Sequence, residues 1–209
     1  LPVERKDWPN YIQDLASVIR MELSMSKIKI FRPVIMSFLL FTLICGIIYP
    51  GAVTLAAQLA FPDKANGSII TVTLKDGSRK EYGSSLIAQE FTDAKYLIGR
   101  PSGISNLSPV NEKEKALIQE RVIWWHKLDP GNTADIPSDL VTASGSGVDP
   151  DISPEAAAYQ TARIARVRGI SEDAVSAIFQ KYTTGRFLGF WGEPTVNVLK
   201  VNLALDGLL

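Results

Sequence analysis

The stretch Pro33–Pro62, PVIMSFLLFTLICGIIYPGAVTLAAQLAFP, carries no charged residue, and every other segment lies on one side of it or the other. A helix rises about 1.5 Å per residue and a bilayer core is about 30 Å thick, so roughly twenty apolar residues suffice to cross one. Val34 to Val53 already supplies them. At roughly −0.3 to −0.6 kcal/mol for each large aliphatic or phenyl side chain, the run Val34–Ile48 favours insertion by about 3–6 kcal/mol, with no ionised group opposing it. Phe38-Leu39-Leu40-Phe41 with Leu43-Ile44 is apolar all round, which excludes the one-sided pattern of a soluble surface helix.

The remaining span residues refine this reading. Pro50-Gly51 is expected to kink the helix or to mark where it leaves the hydrocarbon. A cleaved leader usually has a shorter apolar region ending at a small-x-small site; only Thr54-Leu55-Ala56 offers one, so a retained anchor is expected. Lys27, Lys29 and Arg32 precede the run, whereas Asp63 and Lys64 cancel behind it. By the positive-inside rule the N-terminus is expected to be cytoplasmic and the chain after Phe61 extracytoplasmic. Small residues Gly46, Gly51, Ala52 and Ala56 would let neighbouring helices approach closely.

Three regions follow: an N-terminal extension (1–24), a basic flank with the transmembrane helix (25–61), and one extracytoplasmic domain (62–209) large enough for its own core. In the extension, Trp8, Ile12, Leu15, Ala16, Ile19 and Leu23 fall on one stripe, which predicts an amphipathic helix starting near Pro9. Such a helix could lie on the cytoplasmic leaflet or dock on a partner; alternatively, because Met25-Ser26-Lys27 resembles a natural start, the segment is an extension with no role in function. Lys+Arg and Asp+Glu are equal at 22 each, which leaves no basic face for nucleic acid. The one cysteine, Cys45, lies in the span, so the domain is expected to be held by packing alone.

Beyond the span, Asn66-Gly67-Ser68 reads as a turn, and Ile69–Leu74, Lys75-Asp76-Gly77-Ser78 and a return through Tyr82 as a hairpin. Asn111 with Glu114 is a capping pair for a helix carrying Ile118, Val122 and Trp125, ended by Asp129-Pro130-Gly131. Ile136 onward reads as a short strand feeding the small-residue loop Ser144-Gly145-Ser146-Gly147. Ser153 and Pro154 then open a helix that is expected to run to Arg168 and stop at Gly169, with Arg163, Arg166 and Arg168 at its negative pole. Ser171 caps another helix, with Val175, Ile178, Phe179 and Tyr182 on one face. Thr184–Pro194 is a Gly-rich loop whose Phe187, Phe190 and Trp191 either close the core or offer an apolar face to a partner. Val196–Leu205 reads as a final strand. Strands at both ends with helices between give an α+β domain.

No catalytic constellation emerges. His126 is the only histidine, and Cys45 lies in the span, so neither a histidine cluster nor a thiolate site can assemble. Ser144–Gly147 lacks the glycines of a nucleophile elbow, and no Gly-Lys-Ser/Thr phosphate loop occurs. Small residues entering a helix could cradle an anion, but Asp149 and Asp151 would repel phosphate. Gly145 and Gly147 are expected to hold positive φ or closely approached backbone.

One resemblance covers most of the chain. Gly83–Gln89, Gly99-Arg100-Pro101-Ser102, Ser105-Asn106-Leu107, Asp139–Pro150 with Ile152-Ser153-Pro154, Gly192-Glu193-Pro194, and Val196–Leu199 with Asn202–Asp206 are similar, in order, to the C subunit of the Kdp potassium-transporting ATPase. Ala88, Gly103 and Ile104 depart from the family pattern. The resemblance implies a single-span, non-catalytic subunit in a bacterial plasma membrane. Its partners would be a potassium-channel-like A subunit, a catalytic B subunit, a small F subunit and membrane lipid. ATP, Mg and K would act at the level of the complex, with no cofactor or metal bound by this subunit. Candidate contact or structural positions are Gly46, Gly51, Ser144, Gly145, Ser146, Gly147, Asp149, Phe190 and Trp191. A membrane-anchored ligand-binding module, and an anchored hydrolase using Ser144–Ser146, are the alternatives.

Overall fold

The computed structural model describes residues 8–103 and 107–209, and two compact units divide at Ala65/Asn66. The parts of the sequence reading that fall on residues 1–7 and on Ile104, Ser105 and Asn106 lie outside the described residues.

The first unit is helical. α1 runs Trp8–Leu43 without interruption, so the N-terminal amphipathic stretch and the start of the apolar run form one helix with Pro33 inside it. Five residues of wider π turn, Ile44–Ile48, lead into α2, Tyr49–Ala60. The kink expected at Pro50 is resolved in this way. Proline has no N–H to offer and its ring presses on the carbonyl four residues back, and a π turn shifts the ladder by one residue to accommodate both. The Tyr49 N–H accordingly donates to the Ile44 carbonyl, five residues back. Phe31–Ala60 is long and apolar enough to cross a membrane, and none of it is buried within the chain. A short helix, α3 (Pro62–Ala65), follows.

The second unit mixes helix and sheet. β1 (Ile69–Thr73) and β2 (Arg79–Ser84) form the expected antiparallel hairpin. Gly77 takes φ 82° at the turn, and the Asp76 carboxylate accepts from the Ser78 amide (2.9 Å) and hydroxyl (2.6 Å). Those bonds hold the Asp76 pKa below its ordinary value. α4 (Glu112–Leu128) begins as read, with the Asn111 side chain accepting from the Lys113 amide.

Three elements differ from the sequence reading. Residues after Ile136 form a single 3₁₀ turn, Ser138–Leu140, not a strand, because Pro137 interrupts pairing and the Thr142 hydroxyl folds back on the Ser138 carbonyl. The helix opened by Ser153 and Pro154 breaks at Gln160 into α5 (Pro154–Tyr159) and α6 (Thr161–Arg168), which ends on left-handed Gly169 as expected. The apolar C-terminal run is a strand only over β5 (Thr195–Asn197). Asn197 then caps α8 (Val198–Leu205), its side chain accepting from the Lys200 amide. α7 (Glu172–Lys181) is capped by Ser171 as read. β3 (Asp151–Ile152) and β4 (Thr183–Thr184) flank β5 antiparallel, in the order β3-β5-β4. The core gathers Leu97, Trp125, Leu140, Ile152, Ile164, Val175, Val196 and Val201 between this small sheet and the helices.

Candidate functional site

Between α4 and the start of β3 the second unit carries a cleft of about 470 Å³. Two neighbouring stretches, Ala88–Thr92 and Ile98–Ser102, line it together with the distant Ser144 and Gly147–Asp149; Arg121 and Trp124 of α4 form a wall. How a chain without a long sheet brings these together is a question of where the backbone hydrogen bonds of the irregular segments go.

The segment 94–98 has no strand neighbour, and buried side chains serve in place of one. Asn202 of α8 accepts from the Leu97 amide (2.7 Å) and donates to the Leu97 carbonyl (2.9 Å). Gln160, at the α5–α6 break, does the same for Ile98, at 2.9 Å in each direction. Arg163 donates to the Ala94 and Tyr96 carbonyls and to Gln160 Oε1 (2.6 Å), and lies over the Trp125 ring. Arg168 donates to the Lys95 and Leu205 carbonyls and pairs with Asp206 at 2.8 Å. The arginines read as complements to a helix dipole therefore cross-link the domain. Arg163 is only 1% exposed, and its desolvation lowers its pKa to about 10.

This clamp delivers Gly99 and Arg100 to the cleft. Gly99 packs so close to Val198 that an added Cβ would stand 3.4 Å from its methyl. The Arg100 guanidinium has a loose set of partners: the Thr142 and Ala143 carbonyls at 3.4 Å each and the Asp149 carboxylate at 3.9 Å. Its Nε is buried with no hydrogen-bond partner among the described residues. Arg121 donates to the Val141 carbonyl at 2.7 Å, and Trp125 Nε1 to the Leu140 carbonyl at 3.0 Å. Together these two bonds fix the approach to the serine loop.

The serine loop is a self-satisfying turn. Ser144 Oγ is a buried acceptor for the Gly147 amide (2.9 Å) and the Asp149 amide (3.4 Å), while Ser146 Oγ accepts from the Val148 amide at 3.2 Å. Asp149 in turn accepts from the Asp151 amide, and the Val148 carbonyl accepts from Ala88. Gly147 takes φ 74° as expected. Gly145 does not have a positive φ, and a Cβ there would meet open space, so the expected constraint falls on Gly147 alone.

The other positions singled out in the sequence lie elsewhere. Among the described residues, a Cβ added at Gly46 would meet only the Thr42 methyl, at 3.9 Å, and one at Gly51 would meet open space. His126 is exposed on α4. No group of three or more potential metal ligands occurs among the described residues. Phe187, Leu188, Phe190 and Trp191 are 68, 73, 70 and 69% exposed, so the aromatic loop does not close the core. Sequence reasoning passed over Phe91, Arg121 and Trp124 as cleft walls; Phe91 stands beside the motif Gly83–Gln89, whereas Arg121 and Trp124 had no local signal.

The chain matches the family described as KdpC, the c chain of K+-transporting ATPases, over residues 31–207. It is 58% identical over 183 residues to a Listeria innocua protein named as a potassium-transporting ATPase KdpC subunit, covering 86% of this chain and 96% of that one. A Clostridium perfringens protein of the same name is 52% identical over 200 residues, covering 87% and 98%. A third, from Methylococcus capsulatus, is 51% identical over 190 residues, covering 85% and 97%.

Proposed function

The chain belongs to the KdpC family of K+-transporting ATPase subunits, and from that membership we propose that it is the accessory, non-catalytic subunit of an ATP-driven potassium importer. It is anchored by Phe31–Ala60, with the second unit on the extracytoplasmic side, and it assembles and stabilises the complex of potassium-channel-like A, catalytic B and small F subunits. ATP, Mg and K belong to those partners.

The observation that carries this reading is that the family match covers residues 31–207, so the apolar helix and the mixed domain are matched together. The exposed glycines at 46 and 51 support helix packing in the membrane: nothing among the described residues requires a glycine at either position, whereas a close neighbouring helix would. The cleft supports a contact role for the domain, because the stretches that carry the sequence resemblance converge there on a loosely partnered Arg100. The hydrolase alternative is disfavoured by Ser144 and Ser146, whose oxygens accept backbone amides of their own turn.

Co-expression with the other Kdp subunits in a strain lacking its own Kdp system tests this. Deleting the chain should abolish growth at limiting potassium. Gly147→Val, which forces a β-branched residue to φ 74°, should reduce the co-purified complex severalfold. Gly145→Val and Ser146→Ala should leave the complex and potassium uptake near normal. Loss of uptake in Ser146→Ala with a normal amount of complex would replace the structural role by a chemical one. A topology reporter after Leu209 should be active outside the cytoplasm, and one before Lys27 inside it.

A further inference from the structure

The loop joining β4 to β5 combines an ordered turn with an exposed apolar tip. Its tip, Phe187-Leu188-Gly189-Phe190-Trp191, sets four large apolar side chains in five residues, each about 70% exposed. It is nonetheless an ordered turn. The Phe187 amide donates to the Trp191 carbonyl (2.7 Å) and the Trp191 amide back to Phe187 (3.0 Å), while the amides of Gly189 and Phe190 donate to Arg186 and Phe187. Leu188, at φ 53°, holds a backbone conformation that few residues other than glycine adopt. At the base, Arg186 and Glu193 pair at 2.7 Å, so the tip carries no net charge.

We propose that this tip inserts shallowly into the lipid interface of the membrane that anchors the chain, a proposal that rests on the anchoring read above. Three features favour lipid over a protein surface. Backbone groups entering hydrocarbon must be satisfied internally, and four tip amides already are. Tryptophan and phenylalanine, with no charge between Arg186 and Glu193, match the chemistry of the headgroup–acyl boundary. Four such side chains offer on the order of 500 Å² of apolar surface, short of the roughly 800 Å² per partner of a stable protein interface. The tether also lowers the affinity required. Residues 61–68 separate α2 from β1, and such a stretch spans at most about 28 Å. The domain therefore meets the bilayer at a high effective concentration, and a shallow contact is enough.

The test uses the full chain with Cys45→Ala and Leu188→Cys, the new thiol carrying an environment-sensitive fluorophore, reconstituted into phosphatidylcholine/phosphatidylglycerol nanodiscs. Quenching by nitroxide-bearing lipid should exceed quenching by aqueous iodide severalfold. Adding Phe190→Ser and Trp191→Ser should reverse that preference. Iodide quenching that dominates while the chain stays in the nanodisc overturns the proposal, as does shielding that appears only after the other Kdp subunits are added, which would assign the tip to a protein contact. A chain that does not remain with the nanodiscs at all overturns the anchoring reading, and the lipid contact with it.

Discussion

The segment 94–98 and the tip 187–191 are both short, irregular and without a strand neighbour, yet they resolve the same difficulty in opposite ways. The first has its amides and carbonyls taken up by side chains of distant helices: Gln160, Arg163 and Arg168 from the α5–α6 pair and Asn202 from α8. The second closes on itself through Phe187 and Trp191 and turns its side chains outward. The difference teaches where this small domain places its polar chemistry. Buried amides and guanidinium groups fix the backbone that shapes the cleft, while the self-supporting turn sets four large apolar side chains in five residues out to solvent.

The comparison breaks most readily at Arg163. Its lowered pKa says that the charge itself is disfavoured inside, so what the side chain contributes is its forked set of donors. Arg163→Met would leave the Ala94 and Tyr96 carbonyls and Gln160 Oε1 short of a donor. At about 1–3 kcal/mol for each carbonyl left unpaired, the expected loss is about 2–6 kcal/mol, read by thermal or denaturant unfolding of the purified chain in detergent. Arg163→Lys keeps a charge without the fork and should lose most of the same stability; retention of wild-type stability by the lysine variant would show that charge, not geometry, matters. The pH dependence has a definite sign. Between about pH 10 and the ordinary arginine range, the unfolded chain holds a proton that the folded one has released. This group's contribution to stability therefore rises with pH in that window.

Asn202 gives the next largest effect. Asn202→Leu keeps the volume but strips both partners from Leu97, leaving a buried amide and a buried carbonyl unpaired, at about 1–3 kcal/mol for each such group. Asn202→Asp keeps the acceptor for the Leu97 amide but, as a carboxylate, has no donor for the Leu97 carbonyl, so it should fall below wild type. An unfolding midpoint for Asn202→Leu equal to that of wild type would mean that segment 94–98 is held by packing and not by the clamp.

What the sequence made legible divides along the same line. The apolar run, the Asp76-Gly77 hairpin and the caps at Asn111, Ser153, Ser171 and Gly169 are local signals, and each structure forms where its residues stand. The clamp joins residues 62 and 105 positions apart, and no pattern within one window reports such a pairing. The break at Gln160 was hidden for that reason: its amide is committed to Ile98. The run after Thr195 was misread because Val196, Val198 and Val201 resemble a strand; the helix signal was the cap, Asn197. In the candidate site the serine loop stood out by composition, whereas Arg100, Arg121 and Trp124 gained their meaning only when the clamp placed one segment against α4.

The smallest expected effect falls on the tip itself, and it is the one that most directly separates the two regions. Phe190 and Trp191 are about 70% exposed, and their rings face each other at 6.4 Å, with neither belonging to the core. The turn is held by backbone bonds between Phe187 and Trp191, which side-chain truncation leaves in place. Phe190→Ser with Trp191→Ser should therefore change unfolding stability in detergent by no more than about 0.5 kcal/mol, the range of ordinary surface substitutions. A loss of several kcal/mol would show that the tip packs on the domain and that its exposure is not the feature that distinguishes it from segment 94–98. A near-neutral result, set beside the cost at Arg163, leaves the apolar tip without a folding role and so makes its surface available for contact outside the chain.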